Sequence, residues 1–219
     1  MRRSCGSVSE NRCVSQHYFS PEPEVASRPA TVQLRVDGRT VELTTDRGVF
    51  AHGIVDRGTD ILLRTIPPPP PRGHLLDLGS GYGPIAVSVA LRSPSAAVWA
   101  VDVNRRAREL TARNAATLGA TNVRAVAPDE VPPSLRFAAV YCNPPVRLGK
   151  QPLHELLKQW LERLEPNAAA FLVVQRHLGA DTLAGWLTRE GLTQRRVRSR
   201  QGYRVIEVRL PPASAHDGA

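Results

Sequence analysis

From His74 onward, strand-sized apolar runs alternate with helix-sized amphipathic ones, and this rhythm restricts the chain to few folds. His74 to Leu78, Ala97 to Val103, Val123 to Val126, Phe137 to Cys142 and Ala168 to Val174 read as short, mostly apolar strands. Pro84 to Leu91, Asn104 to Leu118, Leu153 to Leu164 and Asp181 to Glu190 read as helices between and after them. Strands buried on both faces and separated by helices imply a mostly parallel α/β sheet with helices on both sides. Residues 192 to 199 and 203 to 210 read as two further strands that close the sheet. Pro84 suits the first turn of its helix, Asn104 is a fair N-cap, and Gly119 is a fair stop.

The preceding part has another texture. Residues 1 to 16 are polar and aperiodic, as expected of a disordered tail. Val32, Leu34 and Val36 alternate with polar residues, as do Val41 and Leu43 after Gly38, which predicts a hairpin. Apolar segments recur within 49 to 55 and 60 to 66. The prolines from Pro67 to Pro71 exclude helix and central strand, and read as a stiff connector. The expected division is a tail at 1–16, an N-terminal β-containing cap at 17–66, a connector at 67–72, a catalytic domain at 73–210 and a tail at 211–219.

Charge and cysteines narrow the partners. The net charge is +9, and 27 of the 29 basic residues are arginine, since only Lys150 and Lys158 are lysine. Arg189, Arg195, Arg196, Arg198, Arg200 and Arg204 cluster near the end, which favours a polyanionic partner. Cys5, Cys13 and Cys142 form neither a disulfide framework nor a zinc motif, so no metal and a reducing cytoplasm are expected. No apolar run approaches the roughly 20 residues that cross a bilayer. No secretory signal follows Arg2 and Arg3, and no membrane association is expected. A monomer is the expected state, because no apolar helix is left over.

The first chemical motif is Asp77-Leu78-Gly79-Ser80-Gly81-Tyr82-Gly83, which leaves a strand and opens a helix. Glycines there let the backbone approach a ligand at the carboxyl end of a strand. Asp102 ends the next strand, 21 positions after Gly81, where a carboxylate can accept both hydroxyls of a ribose. A dinucleotide loop would place its third glycine where Pro84 stands. Asp77 would repel a pyrophosphate but attract the amino group of a cationic, amino-acid-bearing cofactor, so S-adenosylmethionine fits better than NAD. Asp129, after the third strand, is a candidate for the adenine edge.

The second motif is Asn143-Pro144-Pro145-Val146, delivered to the same edge by Phe137 to Cys142. The Asn143 amide oxygen and the Pro144 carbonyl are two acceptors for the two hydrogens of a planar amine. Such a grip aims the nitrogen at a methyl donor and needs no strong base. Arg147 and Lys150 follow, placed to meet phosphates or a base edge.

With these motifs the chain resembles class I S-adenosylmethionine-dependent methyltransferases of the small-domain type, and among them bacterial small-subunit ribosomal RNA guanine-N2 methyltransferases. The resemblance runs over about residues 17 to 210 and rests on His17-Tyr18-Phe19-Ser20, Gly48-Val49-Phe50, Asp56-x-Gly58-Thr59, Asp77 to Pro84, Val101 to Asn104, Asn143 to Lys150, Val173 to Gly179 and Gly202 to Val208. It implies a seven-stranded sheet whose last strand is antiparallel. It implies that Gly79, Gly81, Gly83 and Asp102 hold S-adenosylmethionine, and that Asn143, Pro144 and Pro145 orient the target amine. The implied partner is ribosomal RNA or the small ribosomal subunit. Many such enzymes carry an aromatic ring after the second proline. Here Val146 stands there, so stacking on the base is expected from Tyr18 or Phe19. Larger members have a whole extra N-terminal domain, and the glycine loop often holds a cysteine where this chain has Ser80. The same chemistry also serves a glutamine amide in a translation factor, or another nucleic-acid amine.

Overall fold

A computed structural model describes residues 25–212. The first element is an antiparallel hairpin of β1 (Ala30–Val36) and β2 (Arg39–Thr45). It turns at Asp37-Gly38, with φ of 46° and 81°, the pair of positive angles that suits the twist of a two-residue hairpin turn. Alternation buries Val32, Leu34 and Val36 and leaves Thr31, Gln33 and Arg35 in solvent. A short helix, α1 (Arg57–Leu63), follows; the Asp56 carboxylate caps it by accepting from the Thr59 amide.

The alternating part contains β3 (His74–Leu78), α2 (Pro84–Arg92), β4 (Ala97–Val101), α3 (Arg105–Thr117), β5 (Val123–Val126), β6 (Phe137–Cys142), α4 (Lys150–Leu161), β7 (Leu164–Gln175), α5 (Ala180–Arg189), β8 (Thr193–Arg200) and β9 (Tyr203–Arg209). Seven strands form one sheet in the order β5-β4-β3-β6-β7-β9-β8. The pairs from β5 to β7 are parallel, and β9 runs antiparallel between β7 and β8. This is the expected Rossmann-like sheet with an antiparallel last strand. Asn104 caps α3 by accepting from the Ala107 amide, and Gly119 follows the end of that helix with φ of 69°.

Several boundaries differ from expectation, among them the ends of β4 at Val101 and of α4 at Leu161. Helix α4 starts at Lys150, earlier than Leu153, because Pro152 falls in the first turn, where a missing N–H breaks no helical bond. Strand β7 starts at Leu164, because Phe137 pairs with Leu164 before the register shifts to Ala139 and Ala169.

Alternate residues of the strands feed two cores. Leu75, Val98, Ala100, Tyr141, Phe171, Val173 and Val205 point to the face covered by the hairpin, α1, α2 and α3. Leu76, Trp99, Val140, Leu172, Ile206 and Val208 point to the face covered by α4 and α5. The hairpin is fastened by Asn114 of α3. Its side chain accepts from the Thr44 amide and donates to the Thr44 carbonyl, each at 2.8 Å, completing a strand-like pair. The same amide nitrogen donates to the Tyr82 carbonyl at 2.8 Å, which ties the hairpin to the glycine loop. Among the described residues, no helix is long and apolar enough to cross a membrane.

Candidate active site

Sheet order reverses at β3, whose neighbours are β4 and β6, and ligands of open α/β sheets bind beside such a point. Leu78 is in register with both Val101 and Cys142. Gly79, Asp102 and Asn143 therefore leave three adjacent strands side by side. All three line a cavity of about 500 Å³, the size of a small-molecule site.

The glycine loop is folded over the end of β4. The Gly79 and Ser80 amides both donate to the Val101 carbonyl, at 2.8 and 3.1 Å. Gly79 has φ of 76°, and a side chain there would meet no protein atom within 4 Å. Gly83 differs. A Cβ on it would stand 2.9 Å from the Thr111 side chain and 3.2 Å from the Thr111 Cα. Gly83 is absent from the cavity wall and serves the close approach of α2 to α3.

The acidic residues separate by environment. One Asp102 oxygen accepts from the Gly81 amide and the other from the Asn104 amide, both at 2.9 Å. Burial nevertheless pushes its pKa upward, opposed by those two amides and by Arg108. Asp77 is absent from the cavity wall and lies buried beneath it. One of its oxygens accepts from the Ala86 amide at 2.9 Å and so caps α2, whose N-cap Gly83 has no side chain. The other oxygen is buried without a partner, as is the Ser80 hydroxyl. Desolvation pushes the Asp77 carboxyl up to about 8. Asp129 lies exposed in the turn Pro128–Glu130, and only Pro128 of that turn reaches the cavity.

Asn143 is oriented from beneath. Its amide nitrogen donates to Asp56 Oδ2 at 2.7 Å and to Thr59 Oγ1 at 3.1 Å. A carboxylate can only accept, so the amide must turn its NH₂ toward Asp56. Its oxygen is thereby left for the cavity. The Pro144 carbonyl already accepts from the Val146 amide at 2.8 Å and keeps its second lone pair. Pro144, Pro145 and Val146 line the cavity, whereas exposed Lys150 does not, and Arg147 sits in the turn Val146–Leu148. Tyr18 and Phe19 lie outside the described residues.

The matching family model is the methyltransferase small domain, over residues 40–207. The chain belongs to the methyltransferase small-domain family. It is 33% identical to the uncharacterized protein YbxB of Bacillus subtilis, over 90% of this chain and 99% of that one. It is 29% identical to ribosomal RNA small subunit methyltransferase C of Pseudomonas paraeruginosa, covering 87% of this chain and 57% of the relative. It is also 32% identical to ribosomal RNA large subunit methyltransferase G of Pseudomonas syringae, covering 75% of this chain and 46% of the relative. The chain thus spans about half the length of those ribosomal RNA methyltransferases. In fold it is similar to the Thermus thermophilus 16S rRNA N2 G1207 methyltransferase in complex with AdoMet and guanosine, with a TM-score of 0.73 at 22% identity, over 86% of this chain and 52% of that one.

For a small-domain methyltransferase the cofactor is S-adenosylmethionine, and the cavity suits it. Its wall offers an open glycine backbone and a carboxylate. Beneath the glycine loop lie two buried, unpartnered oxygens, on Asp77 and Ser80.

Several residues around the cavity entered the sequence reading only as parts of the segments that carry the resemblance, with no role assigned to them. Asp56, which lines the cavity, caps α1, and Thr59 stands behind it in the first turn; they lie 87 and 84 residues before Asn143, and packing of α1 against β7 brings them there. Val49, Phe50 and Ala51 come from the loop after β2, and Gln175 and Tyr203 from the ends of β7 and β9. Gln175 donates to the Tyr203 hydroxyl at 2.6 Å. Phe50 lines the cavity yet is 48% exposed, beside a left-handed Ala51 with φ of 59°. With Leu148 and Leu178, which are also exposed, it makes an apolar rim.

Proposed function

We propose that this protein transfers a methyl group from S-adenosylmethionine to the exocyclic N2 amine of a guanine in small-subunit ribosomal RNA. The observation that carries this reading is the Asn143 amide, locked by Asp56 with its oxygen left for the cavity and set one strand away from Gly79. The similarity to small- and large-subunit ribosomal RNA methyltransferases supports an RNA substrate.

In this reading Gly79, Gly81 and Asp102 hold the cofactor, and Asp77 lies under the loop near its amino group. Of the proposed cap at 17–66, the described residues 25–66 belong with the catalytic part at 73–210. The cofactor supplies an electrophilic methyl on a cationic sulfur. Asn143 and the Pro144 carbonyl accept the two N–H bonds of the target amine and fix the direction of its lone pair. That lone pair forms the new N–C bond as the S–C bond breaks and its electrons remain on sulfur. The nitrogen, then cationic, releases its proton to water, so no strong base is required. Val146 and Pro145 give the base an apolar wall, and Phe50 at the rim supplies the ring that Val146 lacks.

The test is transfer of labelled methyl to small ribosomal subunits from a strain lacking the gene, followed by nucleoside analysis. Label in N2-methylguanosine is the expected result. Cofactor binding without label in subunits or in stripped ribosomal RNA would overturn the reading in favour of another amine, such as a glutamine amide.

A further inference from the structure

Strand β8 is the outer edge of the sheet, and its burial differs from that of every other strand in it. Along Thr193–Arg200 only Val197 is even partly covered. An exposed edge strand this rich in arginine resists pairing with another strand, so solubility alone would account for charge on it. The placement of the charges is more selective than that.

Pairing of β8 with β9 shifts register between Arg196 and Arg198. Arg196 stands opposite Ile206, and Arg198 stands opposite Val205, with Val197 as the extra residue of a bulge. Directly paired residues point to the same side of a sheet. Val205 and Val197 pack into the core on the α1 face, and so does Tyr203, the partner of Arg200. Arg198 and Arg200 therefore both stand on the α1 face. Uninterrupted pairing would have sent both to the opposite face.

That face leads to the cavity. Tyr203 lines it, and the Tyr203 ring lies 2.9 Å from where a Cβ on Gly58 would stand, next to exposed Arg57. Arg176 follows the cavity residue Gln175, and its amide donates to the Gly202 carbonyl at 2.8 Å, in the turn joining β8 to β9. Arg57, Arg176, Arg198 and Arg200 are all exposed, and among the described residues none has an acidic partner. Neighbouring arginines of β8 and β9 do have acidic partners: Arg195 and Arg209 bind Glu207, and Arg204 binds Asp181.

We infer that Arg57, Arg176, Arg198 and Arg200 form a phosphate-binding strip that carries the RNA backbone past the Tyr203 side of the cavity mouth. This rests on the proposed RNA substrate and names the surface that holds it. Unpaired guanidinium groups beside a reaction cavity match a polyanion, and contacts to phosphate set position without reading sequence.

The test compares two variants of equal charge. One carries Arg57→Gln, Arg176→Gln, Arg198→Gln and Arg200→Gln. The control carries Arg35→Gln, Arg39→Gln, Arg72→Gln and Arg113→Gln, on the hairpin, before β3 and on α3. The probe is protein-free small-subunit ribosomal RNA, and affinity is measured from about 50 to 200 mM salt. The strip variant is expected to bind RNA at least tenfold more weakly at low salt. Its logarithmic salt slope should shrink by about two to three, near 0.7 per lost contact. S-adenosylmethionine affinity should remain unchanged, and the control should follow the wild type. Unchanged affinity and slope in the strip variant, with methyl transfer by the wild type intact, would overturn the strip and leave the proposed function standing. Equal losses in both variants would show only general charge attraction and would also overturn the strip. A wild type that binds cofactor but neither binds nor methylates RNA overturns both readings.

Discussion

Asn143 of the loop after β6 donates to the Asp56 carboxylate at 2.7 Å, joining the residue proposed to grip the substrate to the cap of a helix outside the alternating part. Asp56 has two duties, since it also accepts from the Thr59 amide at 2.9 Å. Replacing it with Asn keeps an acceptor for the cap but lets the Asn143 amide flip. Asp56→Asn is expected to lower kcat by about ten- to a hundredfold, less than loss of a direct transition-state donor. Cofactor affinity should stay within a few fold and the Tm within a few degrees, as titration and thermal melts would show. Asn143→Ala should abolish transfer with the same retention of cofactor. Cofactor affinity lost together with activity would refute this separation of roles.

Asp102 is the cavity-wall carboxylate at the end of β4, held by the Gly81 and Asn104 amides. Asp102→Ala removes the ribose acceptor and frees the Gly81 and Asn104 amides. It is expected to weaken S-adenosylmethionine binding by at least tenfold, about 1.4 kcal/mol. An unchanged dissociation constant by calorimetry would mean that another group reads the ribose.

Phe50 is exposed at the rim, where with Leu148 and Leu178 it forms an apolar patch beside the cavity. Phe50→Ala is expected to raise the KM for RNA by about five- to a hundredfold, as loss of one stacked base contact worth about 1–3 kcal/mol would do. Cofactor affinity should be unaltered. Equal KM values for wild type and variant would exclude contact with the base.

The glycines of one loop should respond differently to the same change. Gly83→Ala places a Cβ against Thr111 at φ of 90°, combining backbone strain with overpacking, at a cost of about 2–4 kcal/mol. Gly79→Ala meets no protein atom but still holds a Cβ at φ of 76°, so it should cost only the backbone strain of about 1–2 kcal/mol and otherwise appear in cofactor affinity. Thermal melts and binding titrations on the two variants separate these outcomes.

Asp77 gives the cofactor-free protein a pH dependence. Its carboxyl is raised from 3.8 to about 8 by desolvation, so the folded state favours the protonated form. The stability this contributes is complete below about 3.8 and is lost as pH rises through about 8. Tm without cofactor should therefore fall between about pH 4 and 8 and level off above, and Asp77→Asn should flatten that fall. An equal slope in the variant would assign the dependence to another group.

By itself the sequence determined the α/β class, the order of its elements and the two loops that carry the chemistry. These are local properties. Strand and helix periodicity, the Asn104 cap and the glycine turn act within a few residues, so they are readable without knowing what packs where. The tertiary structure alone decided which residues work together. Register set Gly79, Asp102 and Asn143 side by side, and packing of α1 on β7 supplied Asp56 from 87 residues away. It also separated look-alikes. Gly83 and Asp77 sit in the same motif as Gly79, yet one fits against Thr111 and the other caps α2. The bulge at Val197 is a further case, since it decides which face receives Arg198 and Arg200. Close packing and strand register are relations between distant segments, and a pattern along one segment does not contain them.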